Sequence, residues 1–242
     1  VAGGLDYLVQ LAEKILRSNP KYITFLGPLV TYSMTIFAGT GLTAFSTLPV
    51  IAEVAKREGI RPSRPLSIAT VASQIAITAS PISAAVVFFA GALEPIGVGY
   101  VELLAIVIPT TFVAVMLTAV VTNFLGKDLK DDPIYQDRLA RGLVAIPTEN
   151  ERQQQELPPG AKTSVLIFLI AIIAVVCYAM AISSTVGLIE EPVLKRDAAI
   201  MTFMLTAATL IGLFCKIDCN QVLNAATFKS GMSACVCVLG VA

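Results

Sequence analysis

Histidine is absent from the 242 residues, and charged side chains are only 14% of them, 17 basic and 17 acidic groups cancelling to a formal charge of zero. The missing histidine removes the commonest metal ligand and the usual general base near neutral pH. His-containing metal sites and Ser/His/Asp or Cys/His catalysis go with it. A net charge of zero offers no global basic field for nucleic acid or an acidic membrane surface, so any partner is recognised locally. The five cysteines, Cys177, Cys215, Cys219, Cys235 and Cys237, lie in or beside apolar runs without the paired CxxC spacing of zinc sites. They are expected to be small apolar fillers. No Walker A pattern argues for ATP drive, and no GxSxG motif or paired intramembrane carboxylates argue for an enzyme. Asp131-Asp132 and Glu190-Glu191 are acidic pairs, but they fall in loops without a metal-ligand partner and read as solvated charge. No metal, cofactor or enzymatic activity is expected.

What is present is apolar. Hydrophobic residues reach 56%, and the low charge, against roughly 25% in soluble domains, excludes a water-soluble globule. Uncharged windows run over 22–52, 65–93, 103–126, 163–189 and 198–215, with a further run from 230. Each complete window is long enough for a transmembrane helix. The chain starts at Val1 without a signal-peptide pattern and ends at Ala242 inside an apolar run, so it is expected to be an internal piece of a longer membrane protein. The organisation expected is an all-α membrane protein. Its transport part spans 1–125: an amphipathic helix over 1–21, then 22–52, 65–93 and 103–125. A polar loop over 126–162 and truncated transmembrane helices over 163–242 follow.

Lys and Arg accumulate in short cytoplasmic loops. Twelve fall in 53–64, 126–162 and 216–229, against two in 94–102 and 190–197, which puts the first set in the cytoplasm. The window 22–52 resists this scheme. As one helix it would reach roughly 46 Å, beyond a hydrocarbon core of about 30 Å, and basic residues flank both its ends: Lys14, Arg17 and Lys21, then Lys56 and Arg57. A re-entrant hairpin with its tip at Gly39-Thr40-Gly41 explains both facts, since two glycines permit a tight reversal. The alternative is one long tilted helix with a glycine kink. The window 65–93 breaks at Thr78-Ala79-Ser80-Pro81. Ser80 is placed to cap a half-helix with Pro81 in its first turn, the alternative being a simple proline kink. Pro109 is expected to kink the third window, its freed carbonyl satisfied by Thr or water.

Two consecutive broken segments point to a transporter's binding site. Half-helices starting after Gly41 and at Ser80-Pro81 would aim free N–H groups and positive dipole ends inward and attract anions. Hydroxyls surround them, so the substrate-binding candidates are Gly39, Thr40, Gly41, Thr43, Thr78, Ser80, Pro81 and Ser83, with Ser46, Thr47, Ser73 and Gln74 nearby. Such groups can hold a carboxylate without placing full charge in lipid. An anion channel or a structural membrane subunit could be built from the same broken helices.

A collinear set of segments carries a family resemblance: Ala2-Gly-Gly-Leu-Asp6, Ala12-Glu-Lys-Ile-Leu-Arg17, Asn19-Pro-Lys-Tyr22, Gly39-Thr-Gly41, Ile60-Arg-Pro-Ser-Arg-Pro65, Ala79-Ser-Pro-Ile-Ser83, Leu104-Ala-Ile-Val-Ile-Pro109, Gly126-Lys-Asp-Leu129 and Phe228-Lys-Ser-Gly-Met232. The chain resembles the anaerobic C4-dicarboxylate transporters, the Dcu family, and most of all its aspartate/fumarate/succinate-exchanging branch. That resemblance implies exchange of fumarate, malate or aspartate for succinate across the bacterial inner membrane, supporting fumarate respiration without oxygen. It also implies a multi-pass carrier of the ion-transporter superfamily with two inverted repeats, of which this chain would hold most of the first and the start of the second. A homodimer fits the family analogy, with dicarboxylates and the lipid bilayer as the other partners. Glu13, Arg17 and Arg61 sit in matching motifs and are implied to be transport-critical. Their alternative reading is positional, with Arg17, Arg61 and Arg64 setting topology and Glu13 pairing with Arg17 at i, i+4.

Overall fold

The computed structural model describes residues 2–144, 157–182, 188–189, 193–194, 196–217 and 219–240, and among these every regular element is helical. Helix α1 (Gly4–Ser18) alternates polar and apolar faces and buries Ala12 and Leu16. After a single turn at Pro20–Tyr22, α2 (Ile23–Ala38) ends where Gly39 takes a left-handed φ of 69° and returns its N–H to Thr35 O at 2.8 Å. Glycine adopts this conformation without a Cβ penalty, which makes it a helix terminator. A short 3-10 turn at Gly41–Thr43 leads into α3 (Ala44–Arg57).

Helices α2 and α3 fold back on each other. A Cβ built on Gly27 would stand 3.4 Å from Ile51 Cδ1, and Ile23 shares one buried cluster with Val54 and Ala55. With 16 and 14 residues, the two arms extend about 24 and 21 Å at 1.5 Å per residue, each short of a hydrocarbon core of about 30 Å.

Helix α4 (Ser63–Ile75) runs beside α2 in the same direction. Thr31 Oγ1 donates to Ala69 O at 2.9 Å, and Ser80 Oγ donates to Ile36 O at 2.7 Å. Gly27, Ala69 and Ala72 keep the interface small enough for close approach. A 3-10 turn at Ala76–Ala79 ends in extended backbone at Ser80 (ψ 125°), and α5 (Ala84–Leu93) leaves at 45°.

This corrects the half-helix start. Ser80 does not cap it, because its hydroxyl is committed to α2. The cap is Ser83, whose Oγ accepts from Val86 N at 3.2 Å, and the helix begins three residues after Pro81.

Helix α6 (Tyr100–Asn123) returns from the break to the other end. The Tyr100 hydroxyl donates to Pro81 O, and Tyr32 Oη donates to Ile108 O at 3.1 Å. The helix is continuous through Pro109, with Thr110 and Thr111 donating to the carbonyls of Ile106 and Val107. Its outward side, including Ile106, Val113, Leu117 and Val121, is apolar and exposed.

The 126–162 segment holds a short helix, α7 (Pro133–Ala140), and residues 145–156, with the Gln153–Gln155 run, lie outside the described residues. So does the Glu190-Glu191 pair. Asp132 is not simply solvated: its Oδ1 caps α7 by accepting from Ile134 N and Tyr135 N, and its Oδ2 lies 3.5 Å from Arg61.

Helices α8 (Ala161–Ala181) and α9 (Arg196–Phe214) pack together, followed by α10 (Cys219–Asn224) and α11 (Ala226–Gly240). Helices α6 and α8 are each long and apolar enough to cross a membrane, and the bent pair α4–α5 makes a third candidate span. Cys177 lies on the exposed stripe of α8 with Leu166, Ile170 and Ile173, so it fills an outer apolar face rather than an interior.

The basic segments converge on one end. Arg64 donates at 2.6 Å each to Leu125 O, Gly126 O and Asp128 Oδ1, and Leu129 N donates to Gly59 O at 2.9 Å. Cys215 Sγ approaches Gly160 O at 3.4 Å, bringing the third basic segment to the same end.

Candidate functional site

The two interruptions meet. A Cβ on Gly39 would lie 3.0 Å from Ile82 Cγ1, and one on Gly41 would lie 2.7 Å from Gln74 Nε2. Bare backbone at both positions is therefore what lets the tip of the α2–α3 hairpin seat against the α4–α5 break. Ser80, fully buried, ties the break to the last turn of α2.

All eight sequence-selected residues fall in this one region, but their hydroxyls differ in what they can offer. Thr43 donates to Thr40 O at 3.1 Å, Thr78 to Ile75 O at 2.7 Å, and Ser83 to Ile77 O at 2.7 Å. Together with Ser80, these four hydroxyls spend their protons on main-chain carbonyls at the breaks, Ile77 O also accepting from Ser80 N at 3.4 Å. Thr40 is different. Its Oγ1 accepts from Leu42 N at 3.3 Å, capping the turn into α3, and its own proton is not spent on a described neighbour. Gln74 is exposed and places its amide over Gly41. The breaks thus present two half-helix starts, α3 and α5, with Thr40 and Gln74 as the side-chain donors facing outward. This arrangement suits an anion recognised by partial charges rather than by a buried cation. A cavity of about 620 Å³ lies against α5 and α9, but residues such as Val87, Phe88 and Met201 line it without a polar side chain. It shares only Ile82 with the region of the breaks.

The charged candidates stand elsewhere. Glu13 and Arg17 do pair at i, i+4, with Arg17 Nε to Glu13 Oε1 at 2.8 Å. The same guanidinium also takes Glu53 in two-pronged fashion at 3.2 and 2.8 Å, and Glu53 in turn holds Arg57 at 3.0 Å. The hydrogen bonds to Glu53 are the main cause that raises the Arg17 pKa, against the opposing effect of burial. Glu53 lies ten residues along α3 from Thr43, about 15 Å at 1.5 Å per residue, so Glu13 and Arg17 do not reach the breaks. Arg61 sits at the same charged end, half-buried with its side chain 41% accessible, against Asp132.

Glu53 and Tyr100 hold this architecture without having been singled out by the sequence, and Asp132, read there as solvated charge, holds it as a cap and as the partner of Arg61. Glu53 had a local signal, because it precedes Arg57 by four residues on a helix. Asp132 had one as well, an Asp directly before Pro133 at a helix start, whereas its contact with Arg61 and that of Tyr100 with Pro81 act across the fold.

The chain matches the family described as anaerobic C4-dicarboxylate membrane transporter over residues 1–242. It is 67% identical over 242 residues to the C4-dicarboxylate transporter DcuA of Wolinella succinogenes, covering all of this chain and 55% of that protein. It is 54% identical over 243 residues to DcuA of Escherichia coli K12, again covering 55% of the relative. Against the anaerobic C4-dicarboxylate transporter DcuB of Escherichia coli O6:H1 the identity is 34% over 254 residues, 56% of that protein. The chain thus spans about half the length of the curated relatives it matches. No solved structure matches it. With every residue inside the family match and apolar helices fit to span a bilayer, the chain belongs to the anaerobic C4-dicarboxylate membrane transporter family.

Proposed function

We propose that the chain is part of a secondary carrier that exchanges the C4-dicarboxylates fumarate, malate, aspartate and succinate across the bacterial inner membrane, in support of anaerobic fumarate respiration. Relatives named as C4-dicarboxylate transporters support the substrate class. The observation that carries the site is the seating of the Gly39–Thr43 tip against the Ser80–Ser83 break through Ser80 Oγ to Ile36 O. In this reading α2 and α3 form a re-entrant hairpin that enters and leaves on the cytoplasmic side with the basic segments. The starts of α3 and α5 attract one carboxylate each, Thr40 donates a hydrogen bond, and Thr43, Thr78, Ser80 and Ser83 keep the broken backbone satisfied. Gly39, Gly41 and Pro81 supply the backbone shape. A second, inverted repeat in the full-length protein completes the cavity, and the carrier works as a homodimer.

Glu13 and Arg17 act on transport by holding α1 to α3 at the charged end, whereas Arg61, half-buried beside Asp132, draws dianions toward the mouth. The test uses the full-length protein in liposomes preloaded with succinate, with labelled fumarate or aspartate outside. Uptake that appears only with internal dicarboxylate is the expected result. Equal uptake into empty liposomes refutes obligatory exchange, and non-saturating flux would favour an anion channel.

A further inference from the structure

The outward faces of the helices are not alike. On α6 and α8 the exposed positions are dominated by large apolar side chains, among them Val113, Leu117, Leu166 and Ile170. On α4 and the 3-10 turn that continues it they include Ser67, Thr70, Gln74 and Thr78, spaced three, four and four residues apart so that they form one stripe, with Ser63 at the start and Val71 beside them. None is charged. The hydroxyls of Ser67, Thr70 and Thr78 donate to the carbonyls of Arg64, Leu66 and Ile75, which leaves their oxygens outward as acceptors. Gln74 Nε2 reaches only Ser73 Oγ, at 3.4 Å, and its carbonyl oxygen takes no hydrogen bond among the described residues. An amide in that state is costly against hydrocarbon and comfortable against water.

The stripe also has a direction. It starts one turn past Arg64 at the basic end, where Arg61 is half-buried, and finishes at Thr78 beside the helix break. Its inner part passes Gly41, the position at which any Cβ would collide with the Gln74 amide.

We propose that this face of α4 is the wetted wall along which the dicarboxylate travels between the basic mouth and the paired breaks, and that Gln74, seated on Gly41, is a specificity-determining residue at its inner end. The inference rests on the transport reading above and adds a route and a residue to it. An uncharged lane suits the passage of a dianion. Acceptor oxygens hold water, water shields the moving carboxylates, and no fixed cation traps them. Arg61 concentrates the dianion at the mouth, and Gln74 offers amide donors where the path meets the breaks.

The experiment uses the full-length protein in membrane vesicles, in a background whose native cysteines are replaced and whose exchange is retained. Ser67→Cys, Thr70→Cys, Gln74→Cys and Thr78→Cys are treated with a membrane-impermeant anionic thiol reagent, beside Val113→Cys and Leu117→Cys on α6 and Lys130→Cys at the charged end. The α4 positions are expected to react at least about tenfold faster than the α6 positions, since hydrocarbon excludes both the reagent and the thiolate. Succinate is expected to slow the reaction most at Gln74→Cys and Thr78→Cys. Silence at all four α4 positions while Lys130→Cys reacts overturns the proposal, as does equal labelling of α4 and α6.

A second measurement needs no cysteine background. Gln74→Ala is expected to raise the KM for dicarboxylate roughly tenfold, as for the loss of one hydrogen bond to a charged group, and an unchanged KM overturns the role of Gln74. Labelling is read without transport, so the two readings fail separately. Labelled α4 without exchange removes the carrier reading and keeps the wetted face, whereas exchange with a silent α4 removes the wetted face alone.

Discussion

Gly39→Ala separates the strain of the hairpin tip from its contact with the broken helix. Gly39 has φ 69°, and a non-glycine residue in this left-handed region costs about 1–2 kcal/mol. The new methyl would also stand 3.0 Å from Ile82 Cγ1 and 3.3 Å from its Cδ1, close enough to push the α4–α5 break away by a few tenths of an ångström or turn the isoleucine. Gly142→Ala is the matched control, with φ 68° and nothing within 4 Å of its Cβ, so it bears the strain and no contact. Both variants should lose about 1–2 kcal/mol, a factor of roughly 5–30 in the folded ratio, read from melting of the detergent-solubilised full-length protein. Only Gly39→Ala should raise the KM for succinate in proteoliposomes, because only there does the tip meet the break. Asparagine tolerates left-handed backbone better than alanine, so Gly39→Asn should recover part of the stability and none of the KM. If Gly39→Ala and Gly142→Ala show the same unchanged KM, the seating of tip on break does not shape the site.

The charged end and the α5 cap give further expectations. Arg64→Gln removes three 2.6 Å contacts to the 125–128 segment and should loosen it by about 1 kcal/mol, seen as roughly fivefold faster tryptic cleavage at Lys127 and Lys130. Unchanged cleavage would mean that Arg64 does not hold the segment. Ser83→Ala takes the cap from α5 and the donor from Ile77 O, so it should cost about 1 kcal/mol of stability in a melting experiment, and a neutral result would deny Ser83 the capping role. Arg17→Lys keeps the charge but loses the forked contact with Glu53, and a loss on the order of 1 kcal/mol after solvent screening is expected. If Arg17→Lys abolishes uptake at normal folded amounts, the guanidinium does more than join α1 to α3.

The breaks were legible because their causes are local. Glycine at 39 and 41 and proline at 81 punctuate otherwise unbroken apolar windows, and helix ends follow from backbone sterics that a sequence carries openly. The choice of cap was not legible. Ser80, with Pro81 after it, reads as the cap in sequence, and what takes it from that role is the carbonyl of Ile36, delivered from a helix 44 residues away. The same distance problem hid Tyr100 on Pro81 and Asp132 on Arg61. The pairing of Glu13 with Arg17 could be read from spacing alone, but not its extension to Glu53, which depends on how α1 docks against α3.

The grip of Arg64 on the end of α6 has a mechanical consequence. Its guanidinium, together with the bond from Leu129 N to Gly59 O, fastens the turn between α3 and α4 to the segment that leaves α6. At the opposite end, Tyr100 fastens the first turn of α6 to the break. The broken helix and α6 are thus pinned at top and bottom like the sides of a frame. Under the carrier reading proposed above, a stroke that moves the site would carry this frame as one piece, so its sliding surface is sought outside the contact of the broken helix with α6.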